Sequence, residues 1–331
     1  VEITMSDLTN PVNAIARKDV TDALRDRFIL IVIGFIALAA LTSLVTGAIA
    51  LATDVATYND AKATLLALGK TLDSIAAPEF YPLKLLRGAI EQIEIIGAVL
   101  GILAGFRAAL SERGRQTLAL IMTRPLQQWQ FLAGKLAAGA ALISTGLLAV
   151  FVLAAVLLQL ISGVGLGFGD LGRIVIVWAV ASIYVMAFFT FTFVATLWMK
   201  RPANALLISF AVWLMVVLVA PQIGDTLDPD NQVAGGVFKQ LMVPKDEQER
   251  IKAGYATFET IRNGIEVSSI TKHFERFSFA VLGIKDNYTG KPLGQILVEK
   301  SGDFFWIFLT SLGLAFVMFA RPLKSARLTK E

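Results

Sequence analysis

The stretch FLAGKLAAGAALISTGLLAVFVLAAVLLQLI, residues 131–161, decides the fold. Its 31 residues carry a single charge, Lys135, and no proline. A helix rising 1.5 Å per residue needs about 20 apolar residues to cross a hydrocarbon core of about 30 Å, so this run crosses with length to spare. A membrane barrel would instead alternate apolar and polar residues over about ten positions, and the run is continuous. Residues 28–52, 88–110, 173–198, 204–223 and 303–320 read the same way. The whole chain is 56% hydrophobic and 17% charged, too poor in charge to coat a soluble domain of 331 residues. The expected fold is an all-α membrane protein with six transmembrane helices.

Around the spans the chain divides into an N-terminal arm (1–27), spans one to five (28–223), an outer segment (224–302), the sixth span (303–320) and a tail (321–331). Six spans put both termini on one side. That side carries Arg17, Lys18, Arg25, Arg27, Arg107, Arg113, Arg115, Arg124, Lys135, Lys200, Arg201, Arg321, Lys324, Arg327 and Lys330 on short segments. The other 15 of the 30 basic residues are spread over much longer loops with 19 of the 26 acidic ones. The denser basic side is expected to be cytoplasmic. The formal charge of +4 then reflects topology, and no basic groove with interleaved aromatics points to nucleic acid. The first 27 residues lack an apolar core and cleavage site, so the first span is expected to act as its own insertion signal.

The arm NPVNAIARKDVTDALRDRF places Val12, Ile15, Ala16, Val20, Ala23, Leu24 and Phe28 at steps of three and four, with charges on the opposite face. Such a helix lies in the interface plane among membrane lipids, an elbow leading into the first span; the alternative is a solvated juxtamembrane helix. Outside, residues 53–87 form a loop, and GVGLGFG, without dinucleotide-binding spacing, a flexible turn. The segment 224–302 is long enough to fold, and Ile251, Tyr255, Phe258 and Ile265 recur there at roughly helical spacing. Asn287-Tyr288-Thr289 has the form of a glycosylation acceptor, a triplet common by chance.

Between the second and third spans, SERGRQTLALIMTRPLQQWQFLAGK concentrates three arginines, a proline and a tryptophan. Leu118, Ile121 and Met122 fall at i, i+3 and i+4, a small apolar stripe flanked by Arg113, Arg115 and Arg124 and ended by Pro125. A helix this short is marginal alone, so it packs either on a partner's groove or on the lipid surface.

The run from Glu112 to Lys135 resembles the signature of type-2 ABC exporter permeases: an acidic residue, glycine, threonine and leucine, a short apolar helix, a proline, then Gly-Lys opening the third span. The arm is similar to the amphipathic elbow of the same permeases, particularly the branch that includes the membrane subunit of the nitrous-oxide-reductase maturation transporter. The resemblance implies that the loop 111–130 is a coupling segment docking on a cytoplasmic ATPase subunit. Its residues would be Glu112, Gly114, Thr117, Leu118, Ile121, Met122 and Pro125. Arg115 stands where a second small residue is usual, and the outer segment is longer than the family's. The resemblance further implies a bacterial-type cell membrane and a second permease copy or paralogue; an outer-side accessory protein is a further candidate partner.

No G-x-x-x-x-G-K-[ST] occurs, so ATP and Mg are expected on the separate ATPase, with no cofactor bound by this chain. The chain contains no cysteine, and His273 lacks companions at ligand spacing, so neither a metal site nor a catalytic nucleophile is expected. Gly97, Gly101 and Gly105 repeat every four residues along the second span, a stripe for close helix packing, within the core or at a dimer seam, or a gliding surface. Glu91 and Glu94 lie about a turn inside the outer end of that span, within reach of Arg87. They serve either an outer mouth or plain interfacial solvation. Phe35, Phe210 and Trp213 are candidate linings of an apolar pathway. The function expected is therefore an exporter permease moving a hydrophobic or amphipathic substrate by alternating access. The rival is a non-transporting scaffold or a proton-coupled carrier, and the latter ordinarily needs ionisable groups at mid-membrane depth.

Overall fold

The computed structural model describes residues 10–25, 27–68, 81–114, 127–221, 245–254, 257, 260, 264 and 268–320. Among these, all regular structure is helical. Helix α1 (Pro11–Arg25) starts with Pro11 in the first turn, where the missing N–H costs nothing, and the Asn10 side chain accepts from the Val12 N–H at 3.1 Å. Arg27 has φ 58°, and this left-handed residue turns the chain from α1 into α2 (Phe28–Ala67).

Helix α3 opens with a 3-10 turn (Pro82–Leu86) and runs through Arg87–Gln92, a π turn (Ile93–Gly97) and Ala98–Gly114. Helices α4 (Gln128–Ser162) and α5 (Phe168–Trp198) follow, then α6 (Pro202–Trp213), which continues into a second π turn (Leu214–Val219). Beyond them lie α7 (Lys245–Gly254), α8 (Ile270–Val281), α9 (Leu293–Glu299) and α10 (Ser301–Ala320). Six of these helical stretches, in α2, α3, α4, α5, α6 and α10, are long and apolar enough to cross a membrane.

The sequence places a loop at 53–87, and here the structure departs from it. Helix α2 continues to Ala67 without a break, 40 residues or about 60 Å, twice the hydrocarbon thickness. Hydropathy falls after Ala52, yet the ATDVATYNDAKATLLA tail keeps enough alanine, leucine and lysine to remain helical once outside the membrane.

Helix α5 is the hub of the bundle, with Val177, Ala181, Tyr184, Val185 and Phe193 fully buried. The glycine stripe of α3 lies against it. A Cβ on Gly101 would stand 2.4 Å from the Val185 carbonyl oxygen, and one on Gly105 2.3 Å from that of Phe189. Gly97 faces the Val185 side chain. The stripe is thus occupied by α5 of the same chain, which leaves no dimer seam there. Helix α4 ends at Gly163, whose φ of 66° suits glycine, and residues 163–167 turn into α5.

The outer segment does not stand apart from the bundle. Its helix α8 buries Ile270, Phe274 and Phe277, and the Phe274 ring stacks on Tyr184 of α5 at 4.6 Å. Ile251, on α7, is exposed; Tyr255, Phe258 and Ile265 lie outside the described residues.

Candidate functional site

A lone lysine in an apolar span must find a carboxylate or carry a large desolvation cost. Lys135, in the second turn of α4 and 1% exposed, finds two. Its Nζ lies 2.7 Å from Glu112 Oε1, in the last turn of α3, and 2.7 Å from Asp19 Oδ2 on α1. Lys18 of α1 approaches the same Glu112 oxygen at 3.4 Å. The Phe131 ring, one turn back along α4, faces the ammonium at 5.5 Å. Burial pushes the Asp19 carboxyl above its usual range, against the pull of Lys135 and Lys18. Two cations and two carboxylates from three helices thus form one balanced knot.

The knot is reinforced by close packing. A Cβ on Gly134 would fall 2.8 Å from Ile15, so this glycine lets α1 lie directly on α4. At the start of α4 the Gln127 N–H donates to Gln130 Oε1 at 3.0 Å, and the Trp129 indole donates to Gln127 Oε1. Glu112 and Lys135 therefore hold together the two helices that bracket residues 115–126. Of the residues expected in that stretch, Glu112 is in the knot and Gly114 ends α3. Thr117, Leu118, Ile121, Met122 and Pro125 lie outside the described residues, as do Arg115 and Arg124.

At the opposite end, the Glu91/Glu94 pair splits. Glu91 is half-exposed and pairs with Arg87 at 2.9 Å. Glu94 is buried in the π turn of α3. A π turn leaves carbonyls with spare acceptor capacity, and two are taken up by side chains: the Tyr184 hydroxyl donates to the Glu94 carbonyl at 2.8 Å, and the Trp213 indole to that of Ile95 at 3.3 Å. Trp213 and Phe210, edge to face at 6.0 Å, therefore pack α6 against this turn. Phe35 stands on the outward surface of α2, 61% exposed.

Sequence reasoning missed Arg173. Buried at the start of α5, it donates to the Val281 carbonyl at 2.6 Å and to the Lys291 carbonyl, tying the outer segment to the bundle. Asp170 caps the same helix by accepting from the Gly167 N–H at 3.1 Å and stands 3.5 Å from the Tyr81 hydroxyl, whose pKa burial raises. His273 of α8 lies 2.6 Å from Asp303 of α10, a partner 30 residues away in sequence. Nearby, Tyr288 donates to Glu299 at 2.7 Å; burial and that carboxylate push the phenol to about 12. The one signal that could have found the knot was Lys135 itself, a single charge within 31 residues.

Comparison with known proteins adds the family. No curated protein matches the chain. The sequence model of the ABC-2 family transporter proteins matches residues 13–322, from inside α1 to beyond the end of α10, so it takes in the knot, the stretch it brackets and all six candidate spans. The chain belongs to the ABC-2 family of transporter proteins, as a multi-pass membrane subunit.

Proposed function

We propose that this chain is the permease subunit of an ATP-driven exporter that moves a hydrophobic or amphipathic substrate by alternating access. The observation that carries the reading is the Glu112–Lys135 contact of 2.7 Å, which fixes the roots of residues 115–126 to each other and, through Asp19, to α1. A segment rooted in this way transmits a push on its tip into α3, α4 and α1 together. The push comes from a separate cytoplasmic ATPase subunit, where ATP and Mg reside; closure of two such subunits drives the coupling segments, and the walls built by α2, α3 and α6 open outward. The basic density at this end supports a cytoplasmic placement of both termini in a bacterial-type cell membrane.

A second copy or paralogue completes the pathway. Helices α10, α6 and α2 are the least buried of the candidate spans, so their apolar faces, Phe35 among them, are available to lipid or to that copy. An accessory protein on the outer side has the long end of α2 within reach. The nitrous-oxide-reductase branch is a finer reading that rests on the elbow motif alone. The test changes Leu118 and Ile121 together to Asp. If both side chains fill a groove on the ATPase, burial of each contributes about 1.5–3 kcal/mol, so the variant loses the copurifying ATPase or its substrate-stimulated hydrolysis while the six spans remain inserted. Unchanged yield and stimulation would overturn the coupling role.

A further inference from the structure

Beside the knot, at the α1 end of the bundle, lies a cavity of about 880 Å³. Five helices wall it with Ile29, Leu103, Phe106, Leu142, Phe189 and Leu206. Of these walls Ile29 and Phe189 are buried, Phe189 also packing on Gly139, while Leu103, Phe106, Leu142 and Leu206 are half-buried. The rim is charged, formed by Lys18, Asp19, Asp22 and Arg25 of α1 and by Arg107 of α3. Within the knot Lys18 and Lys135 are balanced by Asp19 and Glu112. Counted over the lining residues alone, Lys18, Arg25 and Arg107 stand against Asp19 and Asp22, one formal positive charge in excess.

A space with an apolar body and a cationic rim fits a molecule of the complementary build. Its volume falls within the range of about 300–1,000 Å³ typical of small-molecule sites. Apolar walls gain nothing from water, and the apolar molecules at hand beside a membrane span are acyl chains. The rim lies at the end of the spans, at the depth of headgroups, and a guanidinium is the side chain best matched to a phosphate, offering paired donors in a rigid fork. Asp22 disfavours a second negative charge, which selects a headgroup with one phosphate and no further acid. We propose that this cavity binds one acyl chain of an anionic phosphate-bearing amphiphile from the adjoining leaflet, with its phosphate held at Arg25 and Arg107. The chain lies against the inner face of α1, so occupancy supports the docking of α1 on the bundle.

Purified full-length protein in nanodiscs tests this without ATP or transport, so the result stands or falls separately from the exporter reading. The probe is lysophosphatidylglycerol with a photoactivatable group on its acyl chain. Labelling is expected in the peptides containing Leu103–Leu110 and Ala138–Leu142. Unlabelled lysophosphatidylglycerol should compete about fivefold better than lysophosphatidylcholine, which carries the same phosphate but adds a choline cation that a mouth with one excess positive charge disfavours. Glycerol phosphate, which has the headgroup and no chain, should not compete. Ala104→Phe, which fills the cavity, should abolish labelling at these peptides; a melting curve checks that the variant folds. Should it fail to fold, Arg25→Gln with Arg107→Gln decides instead, expected to retain labelling and erase the headgroup preference. Labelling spread evenly over the outward faces of α2, α6 and α10, or full competition by glycerol phosphate, would overturn the proposal. The first outcome would mean annular lipid, the second a bare phosphate site.

Discussion

The two ends of the bundle bury charge in different ways. At the α1 end, Lys18, Lys135, Asp19 and Glu112 pair with one another, ion with ion. At the far end, Arg173 is held by two backbone carbonyls, those of Val281 and Lys291. Ion pairing of the first kind depends on all its members, because removing one leaves another charge stranded in a poor dielectric. A clamp on carbonyls is cheaper to lose, since the orphaned groups are neutral dipoles. The first arrangement joins three helices through mutually dependent charges; the second tethers one segment to the bundle.

The largest effect is therefore expected from Lys135→Met. It removes the cation shared by Asp19 and Glu112 and leaves the half-exposed Lys18 beside both carboxylates, and should cost about 3–5 kcal/mol. Thermal unfolding in detergent measures it, and Lys135→Met combined with Glu112→Gln should recover part of the loss. If the double variant melts no higher than the single one, the knot is not a coupled unit and the contrast between the ends fails.

Arg173→Met comes next, at about 2–3 kcal/mol for two carbonyls left without a donor in a buried setting. The loss should be local. Limited proteolysis should cut the outer segment near α8 and α9 faster, while cleavage near α1 stays unchanged. Uniform acceleration at both ends would show that the two junctions are one cooperative unit.

How much of this was readable in advance follows from what each feature is made of. The cores of the spans were legible because membrane crossing is a property of local composition, and runs such as 131–161 permit no other reading. The tail of α2 was not, since a helix in water beyond the membrane has no hydropathy signature and ATDVATYNDAK reads as readily as loop. The π turns of α3 and α6 carry no proline to announce them; the side chains that bond their carbonyls, Tyr184 and Trp213 on α3 and Ser269 on α6, arrive from distant sequence. The glycine stripe declared close packing, while its partner, α5, did not show in the pattern. In the knot, Glu112 and Lys135 were each marked by the family resemblance, and Asp19 lay unnoticed on the charged face of α1. Pairing across 23 and 116 residues is a fact of the tertiary fold, and spacing rules reach only a helical turn or two.

The smallest expected effect is a slope with pH, and it isolates Asp19 from its partners. Burial raises the folded-state pKa of this carboxyl above its ordinary value of 3.8, so the folded protein holds the proton more tightly than the unfolded chain does. The contribution of this group to stability is then fully present below 3.8 and is lost as pH rises through the raised folded value; acidification from neutrality should strengthen the α1 junction where most carboxylate pairs weaken. Asp19→Asn, which is uncharged at every pH, should flatten that component, so the parent melting temperature minus that of the variant should rise as the pH is lowered. The Arg173 end supplies the control, because its donors and carbonyls do not titrate in this range and Arg173→Met should shift the melting temperature by the same amount throughout. A parent-minus-variant difference for Asp19→Asn that falls on acidification would mean that Lys135 outweighs burial in setting the state of Asp19. The knot would then be a plain set of ion pairs whose desolvation cost is fully repaid, and the two ends of the molecule would differ in number of contacts alone.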